Sequence, residues 1–257
     1  METRKFIILL VLALSLDSSR NVGAALHMQD AQITTITRLN NGDQFTAQGS
    51  SCNPETCIGL SSGTATAVSD ISSSKKEGSC TCQCHPHLPA YREDWQICVD
   101  DIRECVLSPF VSGSMSQQIP FVFLPLKGQI IHPSKEISFA GIRTPVCGIS
   151  GAKFLTDGGW IDLRNPLDTD VPFRLFRDEG RTFLQWVGEP ELRARMGGRL
   201  VLVHLMCKEI STDIDRDQPA PTAAATATAA APQVPLVFTP CVAFRIVGTP
   251  TKYLNSK

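Results

Sequence analysis

The chain has 257 residues, 42% of them hydrophobic and 19% charged, with 24 Lys+Arg against 25 Asp+Glu. That apolar share can bury a core, which excludes a wholly disordered chain, and a net charge of −1 excludes a surface built to neutralise nucleic-acid phosphates. Only one apolar run approaches membrane length, beginning at Phe6, so a polytopic membrane protein is excluded as well.

Arg4 and Lys5 precede the apolar run Phe6 to Leu16, and Val22-Gly23-Ala24 offers the small residues a signal peptidase fits. This layout predicts a secretory signal over residues 1–24, too short to be a stable membrane span. Its removal leaves the charge close to neutral. An oxidising compartment follows, and with it disulfides rather than free thiols. No Asn-x-Ser/Thr sequon occurs, so N-glycans are not expected on this route.

Residues 25–79 read as a weakly structured segment and linker. Ile33 to Leu39 and Gln44 to Thr46 are short β-prone runs around Asn41-Gly42, a hairpin signal. Residues 61–79 are mostly Ser, Thr, Gly and Ala and read as a loop.

Residues 80–118 form the Cys-rich segment. The pattern Cys80-x-Cys82-x-Cys84-His85-x-His87 has two readings. Three thiolates and two imidazoles could ligate zinc or copper, but structural zinc sites space their ligands differently. Disulfides are the expectation. Neighbours at i, i+2 seldom bridge each other, so each should bond outward, to Cys52, Cys57, Cys98 or Cys105. Asp94 to Val106 suits a short amphipathic helix or a turn-rich knot.

From Ile119 the chain becomes a series of short β-rich runs, and residues 119–248 read as one module. The runs lie at Pro120–Leu126, Gly128–His132, Glu136–Ala140, Val146–Ile149, Phe173–Arg177, Thr182–Val187, Leu200–Cys207 and Leu236–Val247. Asp178-Glu179-Gly180 is a hairpin loop with Gly180 at positive φ. Glu189 to Arg195 is a helical turn, with Pro190 near its start and acids first. Residues 211–235 carry a low-complexity Ala/Thr/Pro stretch that reads as an expanded loop, and 249–257 as a tail.

Ten cysteines divide seven to three, with Cys147, Cys207 and Cys241 in the β module. Both counts are odd. If all pair within the chain, at least one bridge joins the two segments. Cys207 and Cys241 flank the low-complexity loop and are expected to pair, leaving Cys147 as the tie. The full connectivity stays open.

Catalytic signatures are weak. Gly-x-Ser-x-Gly is absent, and Gly113-Ser114-Met115 lacks the second glycine. His132 and His204 lie in strand-like runs, where a structural histidine is the ordinary case. Asp157, Asp162, Asp168 and Asp170 surround Trp160, which suits glycan hydrolysis or a calcium loop, but no EF-hand spacing exists. The chain is expected to be non-enzymatic, with no cofactor and no metal. Arg174, Arg177, Arg181, Arg193, Arg195 and Arg199 fall in one stretch, offset by Asp178, Glu179, Glu189 and Glu191. A salt-bridged face is the bland reading. A partner-binding patch of Trp160, Arg174, Arg177, Arg181 and Trp186 is the functional one, using residue types common at hot spots.

Three long runs carry a family resemblance: Ile119 to Pro133, Asp162 to Trp186 and Gly198 to Cys207. With the Cys80–Cys105 motif they resemble the amino-terminal region of the shavenoid proteins of arthropods, over about residues 78–210. The resemblance implies a role in shaping actin-rich epidermal hairs and bristles, and no enzyme activity. Shavenoid-like proteins are much longer, with an extended polar region beyond this part. With the signal peptide, that implies an ectodomain of an apical membrane protein.

The expected architecture is mainly β: an antiparallel sandwich or barrel-like module preceded by a small disulfide-rich segment. The expected partner is an extracellular or membrane protein, with a glycan as the alternative and no nucleic acid. The competing functions are a secreted carbohydrate- or matrix-binding sandwich using Trp160 and Trp186, and a secreted hydrolase using His132 or His204 with the Asp157–Asp170 cluster.

Overall fold

The computed structural model describes residues 32–48, 54–68, 78–105, 119–139, 145–165, 170–209 and 237–250. The signal segment, Cys52, Gly113 to Met115, Asp168 and the low-complexity loop lie outside them. The described chain is mainly β, built from antiparallel sheets with no closed barrel, so the sandwich reading holds and the barrel does not.

The amino-terminal part is a four-stranded antiparallel sheet in the order β1 (Gln32–Thr37), β2 (Gln44–Gln48), β4 (Ser79–Cys84), β3 (Ala65–Ala67). The Asn41-Gly42 hairpin joins β1 and β2 in the expected place. Gly42 has φ +122°, and a Cβ there would meet the Cys84 carbonyl oxygen at 2.8 Å, so no side chain fits. The Cys-rich strand β4 pairs with both β2 and β3, so sequence on either side of residue 80 builds one sheet. A short helix, α1 (Pro54–Leu60), and the hairpin β5 (Ala90–Arg92) and β6 (Ile97–Val99) complete this part. Between Asp94 and Cys105 the chain is turns and one short strand, so the turn-rich reading holds and the helix does not form.

Cys80, Cys82 and Cys84 alternate along β4 and so share one face. Cys82 bridges to Cys57 on α1, and Cys84 to Cys98 on β6. Cys80 is also disulfide-bonded, and no described cysteine is free. All three bond outward. Their sulfurs are therefore not thiolate ligands, and His85 and His87 instead stack on each other at 5.5 Å. Opposite Cys82 and Cys84 stand Phe45, Ala67 and Ala65, and the two alanines leave room for the bridges. Phe45 stacks on Tyr91 at 4.4 Å.

The central sheet runs β10 (Gly159–Asp162), β9 (Pro145–Thr156), β13 (Leu200–Glu209), β15 (Cys241–Ile246), β7 (Phe121–Val122), with β14 (Val237–Phe238) also on β13. Among the described strands of this sheet, only β7 on β15 is parallel. A second sheet of β11 (Phe173–Asp178), β12 (Arg181–Trp186) and β8 (Gln129–Ile130) covers one face. The β11–β12 loop is Glu179-Gly180 at φ +47° and +78°, which fits the mirror-image turn that matches strand twist. Helix α2 (Pro190–Met196) forms as expected, with Pro190 in its first turn, and buries Leu192 and Met196.

The central sheet is buried on both faces. Val201, Val203, Leu205, Val242, Phe244 and Ile246 pack with Phe173, Leu184 and Trp186 of the second sheet. Leu155, Leu200, Leu202, Cys241 and Ala243 pack with Ala90, Val99 and Ile102 of the amino-terminal part. Each of the Val, Leu, Ile and Phe side chains among these contributes roughly 1.5–3 kcal/mol on leaving water, and the alanines less.

Strand register overturns the expected pairing of Cys207 with Cys241. On β15, Cys241 stands opposite His204, three positions from Cys207. Cys207 stands opposite Cys147 on β9, with Cα atoms 4.0 Å apart, and these two are bridged. A bulge allows this. The register passes from His204–Gly151 to Leu205–Ile149 and skips Ser150, so Cys147 faces the same side as Ala152. The tie between segments exists, but it is Cys105–Cys241, not a bond of Cys147.

Candidate functional site

A buried ionic clamp fixes how the two parts meet. Arg38 follows β1, Asp43 precedes β2 and Arg245 lies in β15, and all three have no exposed surface. One Asp43 carboxylate oxygen accepts from Arg38 Nη1 (2.5 Å) and the Tyr91 amide (2.8 Å). The other accepts from Arg245 Nη1 at 2.7 Å. Arg38 also donates to the carbonyls of Gly198 (2.9 Å) and Tyr91 (2.5 Å), and Arg245 to that of Pro89 (2.7 Å). Arg38 further reaches Glu93, whose carboxyl burial pushes upward in pKa. Nothing in the local sequence of Arg245, a lone cation in an apolar strand, marked this role.

On the outer side of that junction lies a tryptophan–arginine surface. Arg92, fully buried at the end of β5, stacks its guanidinium 3.6 Å over the Trp95 ring. The same guanidinium lies 5.8 Å from the Trp160 ring on β10. It bonds Asp94 (2.6 and 3.0 Å) and Glu104 (2.8 Å twice). Trp160 Nε1 donates to Glu104 at 3.1 Å, tying β10 to the amino-terminal part. The Arg92 hydrogen bonds hold the Glu104 carboxyl down at about 2. Trp95 is 43% exposed, and Arg103 sits 5.8 Å from its ring. An exposed indole backed by a buried, ion-paired arginine is what a binding hot spot presents.

The residues expected to bind a partner are not brought together. Trp160 belongs to the surface just described. Trp186 has no exposed surface and packs edge-on to Phe173 in the core, so it is no platform. Arg174 and Arg177 are exposed on β11, and Arg181 pairs with Asp178 and Glu179 at the adjoining turn. Arg174 and Arg181 share one face of this hairpin with exposed Phe176, whereas Arg177, out of step by one in the strand alternation, points to the other face. Arg92, Trp95, Arg103 and Glu104 escaped the sequence reading. The one local signal was Arg92 three residues before Trp95 across a turn.

Of the residues weighed for hydrolysis, His204 and Asp162 line the same cleft, of about 230 Å³, with Lys153, Arg164 and Ser150. Burial, then Lys153, lowers the His204 pKa, against an opposing pull from Asp162. Among the described residues no hydrogen bond links His204 to Asp162 or Ser150. His132 lies elsewhere, bridged to Phe123. Asp157 accepts a hydrogen bond from the Gly158 amide in the β9–β10 turn, and Asp170 gives its carbonyl to the Asn165 amide. Among the described residues no cluster of His, Cys, Asp or Glu could hold a metal ion.

Fold and surface together define a disulfide-linked, mainly β module whose Cys-rich part is clamped and bridged onto a β-sandwich. Residues 33–103 match the family model described as the shavenoid isoform B N-terminal domain. The resemblance to a shavenoid amino-terminal region therefore stands for this segment. It begins earlier than residue 78, and within the expected span it covers only 78–103. No curated protein and no solved structure matches.

Proposed function

We propose that this chain is a non-enzymatic interaction module of the secretory pathway, displayed at the apical surface or outside the cell, that serves the shaping of actin-rich epidermal hairs. One observation carries the reading. The segment similar to the shavenoid domain is the part held by the Cys57–Cys82 and Cys84–Cys98 bridges, which persist in an oxidising compartment. Its outer face carries Trp95 and Arg103, the side chains we assign to an extracellular or membrane protein partner. A glycan partner is the weaker alternative, because Trp186 is buried. The test is a tagged chain in arthropod epidermal cells that are building hairs. Surface labelling should reach it, and depletion should shorten or split the hairs. Normal hairs after full depletion, or a chain confined to the cytosol, would sink the proposal.

A second reading, a secreted hydrolase, is supported by the cleft that gathers His204, Asp162 and Ser150. Hydrolysis of generic ester or glycoside substrates that is lost in His204→Ala would favour it.

A further inference from the structure

Trp95-Gln96-Ile97-Cys98 sets a cysteine three residues after a tryptophan. The lumenal transferases that attach mannose to tryptophan carbon act on a Trp followed at that distance by Trp or Cys. Such a match is a hypothesis that its structural context must support. Here the context separates the three tryptophans. Trp160 is followed at that distance by Leu163 and Trp186 by Glu189, so neither fits. Nor would the folded protein accommodate a sugar on either: Trp160 turns its pyrrole nitrogen, the neighbour of the reacting carbon, into Glu104, and Trp186 is wholly buried. Trp95 alone combines the spacing with an exposed ring.

We propose that Trp95 is a C-mannosylation site, an inference that rests on the secretory reading above. Indole C2 attacks C1 of a mannose carried on a polyprenyl phosphate. The C1–O bond to phosphate breaks and its electron pair leaves with polyprenyl phosphate. A carbon–carbon bond forms, and the C2 proton passes to a base. No oxidant or reductant is needed.

The structure also orders the events. Gln96 takes φ +55°, and Cys98 is 2% exposed and bonded to Cys84, so the folded turn hides the acceptor pattern. Transfer therefore precedes closure of the Cys84–Cys98 bridge. In the folded protein the sugar hydroxyls would lie near Arg92 and Arg103, whose guanidiniums sit 3.6 and 5.8 Å from the Trp95 ring centroid.

The test expresses the full chain in secretory cells with the transferase intact and in a matched line lacking it. Tandem mass spectrometry then sequences the peptide Glu93–Arg103. Near-complete addition of one hexose to Trp95, resistant to N- and O-glycosidases and absent from the second line, is the expected result. Two variants separate pattern from bridge. Cys84→Ser removes the bridge and keeps the pattern, so it should keep the hexose. Cys98→Ser removes both and should lose it. Both are read on the intracellular pool, so misfolding does not hide the answer. A lumenal chain with bare Trp95, or a hexose retained in Cys98→Ser, overturns the proposal alone. A chain that never enters the lumen overturns it together with the secretory reading.

Discussion

Strands β4 and β13 are both inner strands of their sheets, and they bury opposite kinds of side chain. β4 puts Cys80, Cys82 and Cys84 on its inner face, opposite alanines and one Phe. β13 puts Val201, Val203, Leu205 and Cys207 on one face and Leu200 and Leu202 on the other. The first sheet is small and buries few large apolar groups, so crosslinks that restrict the unfolded chain supply what its core lacks. The second closes over Phe173, Trp186 and Phe244, and apolar burial dominates there. Small sheets need covalent help, and larger ones tolerate a single auxiliary bridge.

The sharpest way to break that contrast is at the joint. Replacing Cys105 and Cys241 together by Ala removes a bridge spanning 136 residues. The chain-entropy relation puts the loss at about 4–5 kcal/mol, read by chemical denaturation. A loss below about 1 kcal/mol would show that the clamp alone holds the parts together.

Asp43→Ala leaves Arg38 and Arg245 buried against each other without their shared carboxylate. The cost should be roughly 3–5 kcal/mol, with faster hydrogen exchange at the Tyr91 amide, which loses its acceptor. Unchanged exchange there would contradict the clamp.

Replacing Cys84 and Cys98 by Ala should cost about 3 kcal/mol, with the loss confined to the amino-terminal sheet. Exchange protection on β13 should not move. If β13 opens in step, the two regions fold as one cooperative unit and the contrast is only compositional.

Glu104 gives a pH-dependent effect. Its folded pKa of about 2 lies below the roughly 4.3 of an exposed Glu, so its contribution is full above that value. It fades as pH falls toward about 2. Because the side chain is partly exposed, the difference between wild type and Glu104→Gln should be only about 0.5–1 kcal/mol at pH 7, vanishing near pH 2. A difference that persists at pH 2 would mean packing, not charge, ties Glu104 to Arg92 and Trp160.

Smallest of all is Arg174→Ala on the exposed β11 face, expected to stay within about 0.5 kcal/mol in a thermal melt. A larger loss would mean that the hairpin face is structural.

Much of the β module was legible because alternation and turn chemistry are local. The β11–β12 hairpin followed from Glu179-Gly180, and α2 from Pro190 with its acidic start. β10 was missed because Trp160, Ile161 and Asp162 mix apolar and charged residues on a half-exposed strand. The amino-terminal sheet was read as weak because its buried face is Ala and Cys rather than Val and Ile. Of the expected partner residues, Trp160 reached the candidate surface and Trp186 went to the core. Which tryptophan is exposed depends on what packs over it.

The short β-prone runs with their turn signals by themselves determined a mainly β chain, and the density of cysteines pointed to disulfides. The seven-to-three division of cysteines further required a bridge between the two parts, given complete pairing within the chain. Parity needs no coordinates. Only the tertiary structure decided that the bridge is Cys105–Cys241, because a one-residue bulge at Ser150 turns Cys147 toward Cys207 instead. The near-zero net charge likewise concealed its most consequential members. Arg38 and Arg245 share the one carboxylate of Asp43 inside the protein, with Glu93 as a second acid beside Arg38, and only the packing of β15 against the β1–β2 hairpin brings them together.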